Sequence, residues 1–542
     1  MNKFPIIYVR GFAGSTAGID QEVDDPFYGF NKGATHVRIG GGGDPSFYQF
    51  EGPLLRLITE DGYSLLVQGD QRLLLQTGAD TLPEASIWVH RFYDSAATTF
   101  RAPQKTSLLE RAETWFHQHS SASGFNIEQA AYDLYDLITT VLKRTGAQKV
   151  DLVAHSMGGL IVRCMMQKLC GQPRSLPDGS TAQLAPAKDI VDKLFTYGTP
   201  HGGITTDAGL VNSAMDLFGT VGTDIFSPRK MYGYLTPGKT FGTDEAPDGW
   251  DPREIPAAVF DVAKIFCLVG TDPQDYGPSR LLVGPRSDGL VRIENAYIKG
   301  AHRAYVYKSH SGRYGEVNSE EGYQNLRRFL FGRWAVSLEF ADLPESDVLT
   351  PGVTWQADMQ LAVRGIPVIM SEQQAEHWCP IILNEELTTT RDTVNAPVPI
   401  VSTFLFDRST SETTSADRNP MSRYVVTLRV FKTAQRNGSF VFHDHLEQVP
   451  DWSDALIVDV GDPSGQAGLG AWIGWNNDIR GSVDDVAQMP EPVQLVNDGT
   501  ATLTATVQLP QLARYLPIFG GSPSTPGTAT LRVTVRDRTR RE

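Results

Sequence analysis

The chain has 542 residues, which is too long for one hydrophobic core and implies at least two domains. Hydrophobic residues make up 41% and charged residues 20%, a composition typical of a soluble globular protein and not of a disordered one. The formal net charge is −15 and no long cluster of Lys and Arg is present, which argues against nucleic acids and anionic membranes as partners.

Four cysteines in a chain of this length cannot form a disulfide framework, and their spacing does not match a metal site. We therefore expect buried free thiols. No signal peptide precedes the first apolar run, residues 5–9, and no apolar run is long enough to cross a bilayer. These features predict a cytoplasmic location, with export by a route that needs no signal peptide left open.

Up to residue 334, short apolar strands alternate with amphipathic helices. The predicted strands are residues 5–9, 86–91, 149–154, 193–197, 264–270 and 304–307. Apolar residues recur at helical spacing over 127–144, and Asn126 is a suitable N-cap. This alternation predicts an α/β domain over 1–334 with a mostly parallel sheet covered on both faces. Two insertions interrupt it, at about 16–85 and 204–263, and the second is predicted to form a cap.

From residue 335 the helical periodicity fades, and strand-like segments are separated by turn-rich stretches. These segments are residues 354–363, 401–406, 423–431, 455–460, 500–509 and 528–535. Such a pattern predicts an all-β, sandwich-like domain or a barrel over 335–542. Its tryptophans are either core residues or platforms for a lipid or carbohydrate ligand: Trp355, Trp378, Trp452, Trp472 and Trp475. An oligomer interface is another role open to this domain.

The strongest functional signal is the segment from Ala154 through Gly158, with Ser156 at its centre. A buried strand runs into it and an apolar helix follows. Small residues flank the serine because such a turn is strained and the following helix packs close to the strand. The turn lifts the serine hydroxyl above the sheet and directs the helix N-terminus toward it. Ser156 is therefore the predicted nucleophile.

A serine nucleophile needs a base to take its proton and an acid to orient that base. In proteins with this strand–turn–helix arrangement both residues follow the serine, the acid first. The favoured acid is Asp288, which follows the strand at 264–270, and Asp272 is the alternative. The favoured base is His310, just past the strand at 304–307, and His302 is the alternative.

Two backbone N–H groups should stabilise the oxyanion of the reaction. Met157, directly after the serine, provides one, and Phe12, in the turn after the first strand, is predicted to provide the other. We expect no cofactor and no metal. The glycines at 40–43 precede no helix that could hold a phosphate, and the two histidines of the segment 443–445 have no evident third ligand.

The substrate pocket is predicted to be lined by His155, His201, Leu217 and Phe218. His201 belongs to the loop 197–203, where it either shapes the pocket or is a structural histidine of a stiff loop. Leu217 and Phe218 lie in the predicted cap. The apolar side chains of that cap either contact a hydrophobic substrate and exclude water or form the core of the cap itself.

Residues 4 to about 333 resemble the bacterial lipase and esterase branch of the α/β-hydrolase superfamily. The resemblance rests on residues 10–12, 154–158, 198–202 and 287–291 and on His310. Arg10 stands where these lipases usually have His, and the start close to the first motif resembles minimal lipases that lack the first two strands of the fold. Residues 335–542 have no counterpart in this resemblance. Some members bind a structural calcium, for which no ligand set is found here.

The motifs and the resemblance together predict a serine carboxylic ester hydrolase with Ser156, Asp288 and His310 as its triad. It would act on a hydrophobic ester or lipid through an acyl-enzyme. Phospholipase and lactonase activities with the same triad are open alternatives, and a non-catalytic binding protein on a hydrolase fold is another. Membrane contact is not evident from the sequence. The acyl-chain length and the oligomeric state are left open.

Overall fold

The computed structural model describes a defined set of residues in two units. The described residues are 3–11, 37–39, 45–47, 52–65, 71–76, 81–92, 126–175, 179–204, 224–274, 283–311, 315–344, 353–384, 397–407, 421–434, 449–461, 470–478, 496–497 and 502–539. One unit comprises residues 2–303 with 308–323, and the other comprises 304–307 with 324–542. None of the described helices has the length and apolar character that a membrane span requires.

The first unit alternates strands and helices, as the sequence predicts. Its strands are β1 Ile6–Val9, β2 Val37–Ile39, β3 Pro45–Phe47, β4 Ser64–Leu65, β5 Ser86–His90, β6 Val150–His155, β7 Pro173–Ser175, β8 Thr181–Gln183, β9 Val191–Tyr197 and β10 Ile265–Gly270. The strand β11 His302–Val306 includes residues of both units. The helices of the first unit are α1 Pro53–Asp61, α2 Gln71–Gln76, α3 Ile127–Thr145, α4 Met157–Arg163, α5 Ala187–Ile190 and α6 Pro228–Leu235. A π-helix, Cys164–Leu169, continues α4, and α7 Glu320–Phe331 includes residues of both units.

A seven-stranded sheet with the order β11-β10-β9-β6-β1-β5-β4 forms the centre of the α/β fold. Within this sheet, all neighbouring strands in the order β10-β9-β6-β1-β5-β4 pair in parallel. The strands β1, β5, β6 and β10 are buried along their whole length. The predicted α/β class with a mostly parallel sheet is confirmed. Within the segment 16–85, predicted as an insertion, the short strand β4 extends this sheet next to β5. Two residues are too few to produce a periodic pattern in the sequence.

Helix α3 follows directly from its sequence pattern. The Asn126 side chain accepts hydrogen bonds from the backbone N–H groups of Glu128 and Gln129, which confirms the predicted N-cap. The helix buries one apolar face, consisting of Ile127, Ala130, Ala131, Leu134, Tyr135, Ile138 and Val141. Gly146, with a φ of 75°, ends it in a left-handed C-cap. The four cysteines are free and buried, also as predicted.

His90 at the end of β5 makes the stability of the first unit depend on pH. Its ring is buried, Nε2 lies 3.0 Å from the Ala130 carbonyl oxygen, and burial lowers the pKa of the ring from 6.5 to about 4. Between these two values the unfolded chain binds the proton and the folded chain does not, so the free energy of unfolding falls as the pH falls from 6.5 to 4. In urea unfolding, His90→Gln should reduce this loss by about 3 kcal/mol. Parallel pH curves for the two proteins would contradict the expectation.

The second unit is all-β, as predicted, and consists of two antiparallel sheets. Its strands are β12 Trp334–Ala341, β13 Val353–Val363, β14 Ile369–Gln373, β15 Ile381–Ile382, β16 Val398–Leu405, β17 Ser422–Ala434, β18 Trp452–Gly461, β19 Gly470–Trp475, β20 Val496–Asn497, β21 Thr502–Gln508 and β22 Thr530–Asp537, with the short helix α8 Gln511–Arg514. One sheet has the order β16-β12-β22-β21-β20, and the other β14-β13-β17-β18-β19, with β15 paired to β13. Residues of both sheets form one hydrophobic core, as in a sandwich.

The structure decides the position of three of the five tryptophans of this unit. Trp355, Trp452 and Trp475 are buried in the core, where Trp452 and Trp475 pack edge to face with ring centroids 5.6 Å apart. Trp378 and Trp472 are half-buried. The core interpretation therefore applies to the first three.

Candidate active site

The turn at Ser156 has a strained backbone, as expected of a sharp strand-to-helix turn that holds a nucleophile. β6 ends at His155, α4 begins at Met157, and Ser156 between them has φ 53° and ψ −128°. A positive φ is uncommon for a residue with a side chain and persists only where the surrounding structure holds it. Here the Ser156 N–H donates to the carbonyl oxygen of Tyr197, the last residue of the neighbouring strand β9, at 2.9 Å. The sheet therefore holds the turn in place.

Two glycines allow the backbone of the first strand to approach this turn. A β carbon at Gly158 would overlap the carbonyl oxygen of Val9, so only a residue without a side chain lets α4 pack this close to β1. A β carbon at Gly11 would lie 2.7 Å from the Cβ of Ser156. The sequence predicted that a small residue is needed at position 158. The structure gives the reason, which is the direct approach of the α4 backbone to the end of β1.

His310 connects Ser156 to Asp288 through two hydrogen bonds. Its Nε2 lies 2.9 Å from Ser156 Oγ, and its Nδ1 lies 2.8 Å from Asp288 Oδ2. An ionised carboxylate can only accept, so Nδ1 carries the proton and Nε2 accepts from the serine hydroxyl. The exposed fractions of Ser156, His310 and Asp288 are 5%, 2% and 1%. The structure thus brings together the residues predicted as nucleophile, base and acid.

The Asp288 carboxylate is oriented by its own loop. Its Oδ1 accepts hydrogen bonds from the backbone N–H groups of Leu290 at 2.9 Å and Val291 at 2.7 Å. The backbone N–H of His310 donates to the carbonyl oxygen of Asp288 at 3.0 Å. One carboxyl oxygen is therefore fixed by the loop while the other faces the imidazole.

The two alternative residues left open by the sequence occupy other positions. Asp272 accepts a hydrogen bond from the backbone N–H of Gln274 at 2.9 Å and caps a turn after β10. His302 is the first residue of β11, whereas His310 lies past the end of that strand. The structure therefore places Asp288 and His310, the favoured pair, beside Ser156.

The His155 side chain, predicted to line the substrate pocket, contacts the backbone of His310. Its side chain is buried, its Nε2 lies 2.9 Å from the carbonyl oxygen of His310, and the two rings are 4.9 Å apart. Burial, and then the neighbouring His310 and Arg10, lower the pKa of His155 well below its usual value, so it is neutral and donates to that carbonyl. His155 holds the backbone of His310.

His201 is also buried, with no exposed surface. Its Nε2 lies 3.1 Å from Thr196 Oγ1, and burial lowers its pKa well below the usual value, with a further contribution from Arg163. Its carbonyl oxygen accepts a hydrogen bond from Arg163 Nη1 at 3.1 Å. These contacts favour the structural interpretation of His201 over a role in substrate contact.

The described part of the predicted cap, residues 224–263, packs against the helical segment that follows Ser156. Buried Arg163 donates to the carbonyl oxygens of Pro252 at 2.6 Å and Glu254 at 3.2 Å. Lys168 donates to two further carbonyl oxygens of this segment at 2.7 Å each. Its apolar side chains are buried as well: Ile225, Phe226, Met231, Tyr234 and Leu235. In this part of the insertion, the apolar residues form a core.

Several predicted site residues lie outside the described part of the chain. These are Phe12, Leu217 and Phe218, together with the segments 40–43 and 443–445. Met157, the other predicted oxyanion donor, is the first residue of α4. The N–H groups in the first turn of a helix have no partner within the helix, which leaves them available to an anion.

Among the described residues, His155, His310 and Glu316 offer one ligand atom each within 4.8 Å of one another, a spacing that a metal ion could use. Both ring nitrogens of His310, however, are already hydrogen-bonded to Ser156 and Asp288. A metal on His310 would break that chain of hydrogen bonds. The donor set therefore fits a hydrogen-bonded site better than a metal site.

Glu316 is a site residue that the sequence did not reveal. It begins a short 3₁₀ turn after His310, and it is fully buried beside Asp288 and His310. No pattern of spacing marks it, because an acidic residue in a loop is usually exposed. Only its burial in the folded chain distinguishes it.

Sequence comparison finds a similarity to lipases in the segment around Ser156. The family model described as Lipase (class 2) matches residues 104–214, which include Ser156 and the loop with His201. A search of the curated proteins finds no match. The first unit thus combines a mostly parallel sheet with a local sequence similarity to lipases.

Solved structures similar to this chain include a lipase and a phospholipase. The mature form of Bacillus licheniformis lipase BlEst2 is 15% identical, with 60% of this chain and 91% of that chain covered and a TM-score of 0.30. Phospholipase PlaB from Legionella pneumophila is 11% identical, with 80% and 88% covered and a TM-score of 0.29.

Proposed function

We propose that this chain is a serine carboxylic ester hydrolase that acts on a hydrophobic ester through an acyl-enzyme. The observation that carries the proposal is the chain of hydrogen bonds Ser156–His310–Asp288, with distances of 2.9 and 2.8 Å, at a strained turn before a helix. Such a chain allows a weakly nucleophilic hydroxyl to lose its proton as it attacks.

In the proposed reaction, His310 Nε2 takes the proton of Ser156 Oγ as that oxygen attacks the ester carbonyl carbon. Asp288 keeps the proton of His310 on Nδ1 and stabilises the imidazolium that forms. The N–H of Met157, and that of Phe12, would stabilise the oxyanion. His310 then protonates the leaving alcohol, and it activates the water that hydrolyses the acyl-enzyme.

The proposal includes a preference for hydrophobic acyl groups. The match to class 2 lipases over residues 104–214 supports this preference. A hydrolase for short, soluble esters would have the same three polar residues. The chain-length preference therefore has to be measured. Phospholipids and lactones belong in the same assay because the same triad could act on them.

The test is hydrolysis of p-nitrophenyl esters from acetate to palmitate, with labelling by a fluorophosphonate in parallel. The wild type should label and should prefer medium or long chains, and Ser156→Ala should lose both labelling and turnover. Phosphatidylcholine and a lactone, assayed beside the esters, identify the preferred class. A folded wild type that neither labels nor hydrolyses any of these substrates would contradict the proposal, as would a fully active Ser156→Ala protein.

A further inference from the structure

Three polar atoms converge above Gly198, the residue that follows β9. A β carbon at this position would overlap Glu316 Oε1, and it would lie 2.9 Å from His310 Nδ1 and 3.0 Å from Asp288 Oδ2. Gly198 has a φ of 46°, which also favours glycine. The absence of a side chain here lets a second carboxyl group approach the hydrogen bond between Asp288 and His310.

The proposed mechanism gives Glu316 no role, although the residue is buried close to His310. The residue has no exposed surface, and within the described residues no side chain donates a hydrogen bond to either carboxyl oxygen. One of these oxygens lies within 4.8 Å of a ring nitrogen of His310. A buried carboxyl group without such a donor is costly, so its position so close to His310 calls for a role.

We propose that Glu316 is a positioning residue that keeps a second carboxyl group beside the Asp288–His310 hydrogen bond and can replace Asp288 as the acceptor of the His310 Nδ1–H. This inference rests on the proposed function, since His310 must be the base for the exchange to affect catalysis. The two carboxyl groups would share one negative charge. Asp288 carries it in the wild type, and Glu316 carries it when Asp288 is absent.

The charges around Glu316 are consistent with this division. Burial, and then the charge of Asp288, raise the pKa of Glu316 well above its usual value, while a hydrogen bond with the backbone of Gly270 lowers that pKa. The nearby His155 and Tyr197 are neutral, because burial lowers the pKa of the first and raises that of the second. Loss of the Asp288 charge removes the repulsion, which favours ionisation of Glu316.

The test is a double-mutant cycle on the Ser156-dependent activity, with Glu316→Gln in the wild type and in Asp288→Asn. Asparagine can keep the loop contacts of Asp288 Oδ1, and glutamine keeps the shape of Glu316 without a carboxylate. In the wild type, Glu316→Gln should lower kcat/KM by a smaller factor than in Asp288→Asn, because Asp288 still accepts the His310 Nδ1–H. In Asp288→Asn it should lower the residual kcat/KM by about tenfold. Asp288→Ala serves as a second background, because it leaves no amide beside His310.

A pH profile separates this role from a purely structural one. In the Asp288→Asn background, Glu316→Gln removes the negative charge beside the imidazolium, so the pH of half-maximal activity on the acid side should move lower. In the wild type it should not move. Equal fold losses in both backgrounds, or a shift in neither, would overturn the inference while leaving the serine mechanism intact. Thermal melting of each variant checks that it is folded.

Discussion

Replacing His310 with alanine is expected to lower kcat for ester hydrolysis by about 10⁴-fold or more, as far as replacing Ser156 does. The double variant should lose no more than either single variant. The reason is that one chain of hydrogen bonds, at 2.9 and 2.8 Å, connects the hydroxyl, the imidazole and the carboxylate. Without His310 the Ser156 hydroxyl is not activated, and without that hydroxyl His310 has no proton to accept. Steady-state kinetics on the preferred p-nitrophenyl ester gives kcat for the two single variants and for the double variant.

The two alternative residues provide matched controls for this experiment. His302→Ala and Asp272→Asn should each retain kcat within about threefold of the wild type, because neither residue lies at Ser156. In Asp272→Asn the side-chain oxygen can still accept from the N–H of Gln274. If His302→Ala lost as much activity as His310→Ala, or if the losses at Ser156 and His310 simply multiplied, the assignment of His310 as the base would be wrong.

Gly158→Ala is expected to have the largest effect on stability among the glycines of the nucleophile turn. Its β carbon would overlap the carbonyl oxygen of Val9 and would lie 2.5 Å from that of Arg10. Both oxygens belong to the backbone at the end of a buried central strand, which cannot move away as a flexible side chain would. We expect the free energy of unfolding to fall by about 3 kcal/mol, measured by urea unfolding, and ester hydrolysis to fall with it.

Gly146→Ala is the matched control, because it introduces the same methyl group without the contact. Gly146 caps α3 with a φ of 75°, and a β carbon there would meet nothing within 4 Å. Only the backbone strain remains, which amounts to about 1 kcal/mol. Equal losses of stability in the two variants would show that the approach of α4 to β1 does not depend on glycine at position 158.

Patterns over neighbouring residues were sufficient to predict the elements that carry the nucleophile. The helix predicted at 127–144 is observed as Ile127–Thr145, because its apolar face and its capping Asn126 are local features. The turn at Ser156 was predicted for a similar reason, since a buried strand, small residues and an apolar helix occur within a few positions. The alternation of the second unit likewise predicted strands, although it could not predict which strands pair.

For the acid and the base, local patterns favoured Asp288 and His310 but left Asp272 and His302 open as alternatives. His310 lies 154 residues from Ser156 and 22 from Asp288. Asp272 and Asp288 both follow β10, and His302 begins β11 whereas His310 follows it. The hydrogen bonds of the Asp288 loop and the end of β11 decide between them, and these are properties of the folded chain.

The sequence by itself determined the α/β class of the first unit, the β class of the second and the position of the nucleophile turn, because each depends on a local periodicity or on a short motif. Tertiary structure decided the direction of the side chains around that turn. His155 and His201 point inward, and Glu316 is buried beside Asp288, because distant segments of the chain supply their neighbours. A titratable residue has no such surroundings until those segments pack together, and its burial and charge state follow from that packing.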